Sequence, residues 1–240
     1  MNLMRGKITL FPYTFAPNDW MFCDGTLLQI SSRNTNLFVL LGGNTFGGDG
    51  QRTFGLPDLR SITPDECHYC IAVQGQFGVT QYEGFVGETF LLPFRSEARD
   101  LLECTGQSLP RSQYPLLSRL MGTRFGGDGA NFNLPDLRST TPKGHQSMMA
   151  VQGVDPNSGS GMDDRFVGEL FLMPYDTVEN LLLCDGTRLG ISGNEKLFNL
   201  LETRFGGDGI REFALPDLRA VAPAKYNYFM AGRGMYPVRL

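Results

Sequence analysis

The sequence predicts a small α+β fold written three times in tandem and closed around a pseudo-threefold axis. Three observations predict it. Phe46-Gly47-Gly48-Asp49-Gly50, followed by Leu56-Pro57-Asp58-Leu59-Arg60, returns at residues 125–129 with 134–138, and again at 205–209 with 215–219. Gly6, Gly87 and Gly168, which open the copies, stand at equal steps of 81 residues. A Cys-x-Gly recurs inside each copy, at Cys23, Cys104 and Cys184. Self-similarity of this kind marks a repeat architecture, and three copies in one chain can stand in for a homotrimer.

The elements follow in order within copy one. Residues 7–12 alternate loosely and predict a strand. Trp20-Met21-Phe22-Cys23 predicts a second, broken by the turn signal Asp24-Gly25, with Leu27-Leu28 as a returning hairpin arm. Ser31 or Ser32 offers an N-cap for an amphipathic helix that runs to Leu41 and stops at Gly42-Gly43. The same helix is expected at 194–202, and in copy two Pro115 falls in its tolerant first turn. The Phe-Gly-Gly-Asp-Gly loop is irregular, its Asp serving neighbouring amides. Leu-Pro-Asp-Leu-Arg starts extended, because proline biases its predecessor away from helix. Its leucines Leu56, Leu134 and Leu215 are expected to be core anchors. Asp58, Asp136 and Asp217 are expected to bond locally and hold the Gly-rich loop. Residues 70–74 predict a last strand. The units then run 1–82, 83–164 and 165–240, with joins at 76–82 and 155–164. The second join, rich in Pro, Ser and Gly, is the better linker.

Composition suits a folded protein, with 41% hydrophobic and 19% charged residues. One repeat alone would bury only a marginal core, so neighbours are expected to supply the rest. A net charge of −4 without a Lys/Arg cluster argues against a nucleic-acid partner. No apolar run reaches membrane-spanning length, so no membrane insertion is expected. The first six residues run straight into the first repeat, which gives the expectation of no secretory signal and of folding in the cytoplasm.

Candidate chemistry is sparse. The recurring aspartates lack the dense ladder of a calcium loop and read as structural. Asp58, Arg60, Asp136, Arg138, Asp217 and Arg219 are the candidate structural or interface residues, each Arg pairing either within its unit or with a neighbour's carboxylate. Cys67-His68-Tyr69-Cys70 has no second pair, so no metal is assigned. Five cysteines, three at equivalent positions, read as buried small hydrophobes rather than a disulfide framework. Two histidines and no nucleophile elbow or phosphate loop leave no catalytic constellation and no cofactor; the expectation is a protein that is not an enzyme. Trp20 becomes Leu101 and Leu181 in the other copies, which favours core over a sugar platform.

The run Phe15-Ala16-Pro17-x-x-Trp20-x-x-Cys23-Asp24-Gly25, then Leu37-Phe38-x-Leu40-Leu41, then the Gly-rich loop and Leu-Pro-Asp-Leu-Arg, resembles the phage tail collar domain. That family includes the collar of short tail fibres and the microcystin-dependent proteins. Copy three matches strongly over 181–219; copy two has lost the Ala-Pro-x-x-Trp entry. Family members usually carry one copy and trimerise, and many carry a long His-containing insertion before the last strand, which is missing here. The resemblance implies a structural part of a phage tail or tail-like particle, at a collar, baseplate, tail tip or fibre attachment point, assembled in the host cytoplasm. It implies other tail proteins as partners and a monomer that mimics a trimer. The alternative it leaves open is an adhesin module that binds a cell-surface glycan or receptor.

Overall fold

The computed structural model describes residues 3–161 and 163–238. The first repeat comprises β1 (Ile8–Phe11), β2 (Trp20–Phe22), β3 (Leu27–Gln29), α1 (Thr35–Leu40), β4 (Thr53–Gly55) and β5 (His68–Ala72). The second repeats this order as β6 (Thr89–Leu92), β7 (Leu101–Glu103), β8 (Ser108–Pro110), α2 (Pro115–Met121), β9 (Asn131–Asn133) and β10 (Gln146–Ala150). The third follows with β11 (Leu170–Met173), β12 (Leu182–Leu183), β13 (Arg188–Gly190), α3 (Glu195–Leu201), β14 (Glu212–Ala214) and β15 (Asn227–Met230). The described residues are thus strand-rich, with one short α-helix per repeat.

Each repeat pairs its last strand with both its first and its second. In the first repeat β5 lies between β1 and β2, with Leu10 opposite Tyr69 and Trp20 opposite Ala72. Equivalent registers place Leu91 opposite Ser147 and Leu172 opposite Tyr228. The predicted β2–β3 hairpin does not form. β3 pairs instead with β4, and β8 and β13 pair likewise with β9 and β14. The helix and Gly-rich loop therefore lie inside a long hairpin. The reason is visible at Asp24-Gly25: Gly25 N–H bonds Pro57 O at 3.3 Å and Leu59 N–H bonds Cys23 O at 2.9 Å, so the turn is spent on Leu-Pro-Asp-Leu-Arg. The expected Ser31 or Ser32 cap is also absent. Asn34 flanks the helix, without a side-chain cap bond, and accepts the Ser31 N–H on its own side chain at 2.9 Å.

The three first strands meet. β1 and β6 bridge at Ile8 and Leu91, β6 and β11 at Thr89 and Leu172, and Thr9 Oγ1 donates to Leu170 O at 3.4 Å. The nine strands of this group form one sheet system. Cores cross between repeats accordingly. One joins Phe132, Leu134 and Met149 to Phe171, Tyr175 and Phe229. Another joins Phe11, Tyr13 and Trp20 to Val167, Leu197 and Phe213. A third joins Met4 to Phe90, Leu92 and Met148. Trp20 packs edge-on to Phe11 at 5.2 Å, inside the core.

The opening glycines explain themselves here. Each carries an aromatic ring from another repeat. A Cβ on Gly6 would lie 2.5 Å from Phe94 Cε1, one on Gly168 2.8 Å from Tyr13 Cε1, and one on Gly87 1.9 Å from the Tyr175 hydroxyl. All three glycines also have a φ near +80°, at +82°, +82° and +84° in the same order. Tyr175 donates to Val86 O at 2.7 Å and Tyr13 donates to Val167 O, so two of the rings also satisfy a backbone carbonyl beside the glycine. Gly87→Ala is expected to destabilise by at least about 2 kcal/mol, from left-handed strain plus displacement of Tyr175. Denaturant unfolding measures it; an unchanged midpoint would show that the ring is not seated there.

Candidate functional site

The candidate site is the set of contacts through which the repeats act on one another and on the outside. Leu56, Leu134 and Leu215 are buried, at 0%, 1% and 2% exposure. The candidate pairs beside them are local. Arg60 Nε and Nη2 donate to the two oxygens of Asp58 at 2.9 and 2.6 Å, and Arg138–Asp136 and Arg219–Asp217 have the same geometry. Hydrogen bonds from the arginines hold the Asp58, Asp136 and Asp217 carboxyls down at about 2. Both partners of each pair are largely solvent-exposed, so each contributes little to stability.

The Gly-rich loop is held by its own Asp, as expected, and not also by the Asp of Leu-Pro-Asp-Leu-Arg, which is taken up by Arg60. Asp49 Oδ1, not Asp58, accepts the backbone N–H groups of Gln51, Arg52 and Thr53 at 3.0, 2.7 and 2.8 Å. Asp128 and Asp208 do the same in their repeats. These amides pull the Asp49 and Asp208 carboxyls down to about 2. Gly48 lets the loop fold back, because a Cβ there would sit 2.5 Å from Thr53 O. All five cysteines are free and buried. Burial pushes the Cys67 and Cys104 thiols up to about 12, which leaves them unreactive at neutral pH. Among the described residues no group of three or more His, Cys, Asp or Glu side chains is placed to hold a metal.

A charged centre lies just before the three first strands. Lys7, Glu88 and Glu169 occupy equivalent positions, 81 residues apart, and all are buried. Lys7 Nζ contacts Glu88 Oε1 at 2.5 Å and Glu169 Oε1 at 4.0 Å. Arg165 reaches Glu88 at 3.6 Å and Glu169 at 4.0 Å. The Tyr82 hydroxyl and the Phe85 N–H complete the Glu88 carboxylate at 3.0 and 3.2 Å. Lys7 also lies over the Phe90 ring and Arg165 over the Phe85 ring, at 5.0 and 4.9 Å. Burial works against charge on Lys7, yet Glu88, Tyr82 and Glu169 outweigh it and raise its ammonium above the ordinary value. Burial likewise opposes charge on Glu88, but Lys7 and Arg165 prevail and lower it. At Glu169 burial prevails over Arg165 and Lys7 and pushes the carboxyl above its ordinary value, so the two buried cations are met first by Glu88.

Residues 6–64, 87–142 and 168–223 each match the Phage Tail Collar Domain, and together they make up well over half of the chain. The chain belongs to the phage tail collar domain family. It is also similar to the short tail fiber protein gp12 of Enterobacteria phage T4, 30% identical over 115 residues that make up 44% of this chain. The chain spans only 22% of that relative's length. No solved structure matches the chain significantly.

Contacts between collar repeats extend outward from the charged centre. The loop residue Phe46 packs on His145 of the second collar repeat at 5.3 Å between ring centroids, and Phe125 on Tyr226 of the third at 5.8 Å. Arg124 forks onto Asp176 at 2.8 and 2.7 Å, and Arg204 donates to Pro12 O at 2.7 Å. The sequence reading passed over the rings Tyr13, Phe94 and Tyr175 and the set Lys7, Glu88 and Glu169. A signal existed for both. Proline-aromatic recurs at 12–13, 93–94 and 174–175, and a charged residue opens each otherwise apolar first strand.

Two outcomes are expected. Leu134→Ala should destabilise by about 2–5 kcal/mol, whereas Arg138→Ala should leave the unfolding midpoint nearly unchanged; chemical denaturation compares them, and the reverse ranking would make the segment a surface strip. Lys7→Glu and Glu88→Lys should each destabilise by about 3–5 kcal/mol. The double exchange should lose clearly less than the two single losses combined. Additive losses in that cycle would mean that the two residues do not act as a pair.

Proposed function

We propose that this chain is a structural part of a phage tail or tail-like particle, acting as three collar units joined in one chain around a pseudo-threefold axis. Its place is a collar, baseplate, tail tip or fibre attachment point, its partners are other tail proteins, and its work is assembly rather than catalysis. One observation carries the reading. The Gly-aromatic contact runs from the first repeat to the third, from the second to the first and from the third to the second, a closed circuit within one chain. Repeats that saturate each other's sites in this way leave no open end for further copies. Joining them covalently removes the association entropy that three separate chains must overcome. Among the described residues no helix is long and apolar enough to cross a membrane.

The units are residues 1–82, 83–164 and 165–240, so one chain supplies what a homotrimer of single collar domains would. Light scattering on the purified chain should give the mass of one copy, 26.6 kDa, at micromolar concentration. A stable trimer of the full chain would overturn the built-in trimer. Antibody labelling should place the chain at one end of tails or tail-like particles from the producing cells; particles without it would overturn the assembly role, and specific retention on a glycan array would replace it with the adhesin reading.

A further inference from the structure

Besides the charged centre, the three repeats differ at a second place where they converge. Tyr69, Ser147 and Tyr228 hold equivalent positions, each opposite the matching leucine of its repeat's first strand. Tyr69 and Tyr228 line one recess together. In the second repeat the small Ser147 side chain turns to Thr141, Oγ to Oγ1 at 2.6 Å. Beside these three residues the recess measures about 300 Å³ and is floored by Leu91 and Leu172 of the first strands. It has no charged side chain in its lining. Ile62 and Val221 line it as well and are 47% and 50% exposed, so it opens to solvent between apolar lips.

We propose that this recess is a receptor site for one uncharged aromatic ring, the side chain of a tyrosine or phenylalanine presented by a protein partner. The recess lies where a third tyrosine is missing from a set of three, so its natural filling is a ring. Its size suffices, since an apolar cavity of about 150 Å³ already takes up benzene. The Ser147, Thr89 and Thr140 hydroxyls already have partners within the chain, at Thr141, at Gly87 O and Tyr226, and at Leu137 O, so the wall asks no further hydrogen bond of the ring. A protein source follows from continuity. The floor is made by the strands through which the repeats already join, and the exposed Ile62 and Val221 extend that apolar interface to the surface, where residues flanking the ring would lie. One ring in one recess also gives a near-symmetric body a single rotational setting against its partner. The protein source rests on the assembly role proposed above; the ring site rests on the geometry alone.

The test uses the full chain with two probes, p-cresol and the tripeptide acetyl-Leu-Tyr-Leu-amide, followed by calorimetry and NMR. Both should bind saturably, with intermolecular NOEs from the ring to the Leu91 and Leu172 methyls. The tripeptide should bind about tenfold tighter, through the apolar lips. Ser147→Tyr fills the recess with the chain's own third ring and should abolish binding of both probes; Ser147→Leu is the smaller filler should the first fail to fold. Absence of saturable binding, NOEs to other residues, or binding that survives a folded filler variant overturns the site. Equal affinities for the two probes overturn the protein source while the ring site stands, and a trimeric state in solution would bear on the assembly role without touching the NOE result.

Discussion

A ring laid across a bare glycine backbone, from Tyr13, Phe94 and Tyr175 to Gly168, Gly6 and Gly87, is the contact on which the rest of the arrangement depends. It fixes how close two repeats can come. At that closeness the first strands bridge, and the short strands of each repeat gain cross-repeat apolar cover that a unit of this length cannot provide for itself. The glycine and the ring are therefore one device split between two repeats. Phe94 shows which half matters more: it lacks the hydroxyl by which Tyr13 and Tyr175 bond a carbonyl, and it keeps the packing.

Bringing three equivalent strand starts together creates an electrostatic problem. Three identical charges at that spot would repel in a poorly hydrated space. The chain resolves it by breaking the repeat where identity would be harmful. Lys7 faces Glu88 and Glu169, and Arg165 supplies the second positive charge. Three separate copies of one domain cannot make such a choice, because every copy carries the same residue. Desolvation makes the quartet a poor source of net stability, while any mispairing of repeats would bury an uncompensated charge. The quartet thus sets which repeat sits beside which.

Much of the fold was legible because the repeat was legible. Identical motifs at fixed spacing marked three units, and alternation with apolar anchors located the first and last strands, the helices and the buried Leu56, Leu134 and Leu215. Local chemistry misled where a distant partner won. Asp24-Gly25 has the composition of a tight hairpin turn, but its backbone is claimed by Pro57 and Leu59, so β3 waits for β4 on the far side of the helix. Ser31 has the composition of a cap, but its hydroxyl is turned to donate to Asn34 Oδ1 at 3.2 Å. The loop Asp49 serves the three amides that its place among the glycines suggested, while Asp58, also expected to hold the loop, is taken up by Arg60 two residues on. The contacts between repeats were the least legible, since a residue's neighbour across an interface leaves no trace in its own spacing. Only the comparison of copies, proline-aromatic with proline-aromatic and Lys7 with Glu88 and Glu169, carried that information.

The closed circuit also changes what a break in the backbone would do. In a linear string, cutting one connection frees a fragment. Here the third repeat is gripped by the second through Tyr175 on Gly87 and by the first through Tyr13 on Gly168, and the connection at 155–161 runs largely along the surface. A protease that nicked that connection would leave both pieces clamped in place. Continuity of the peptide chain becomes secondary to continuity of the packing.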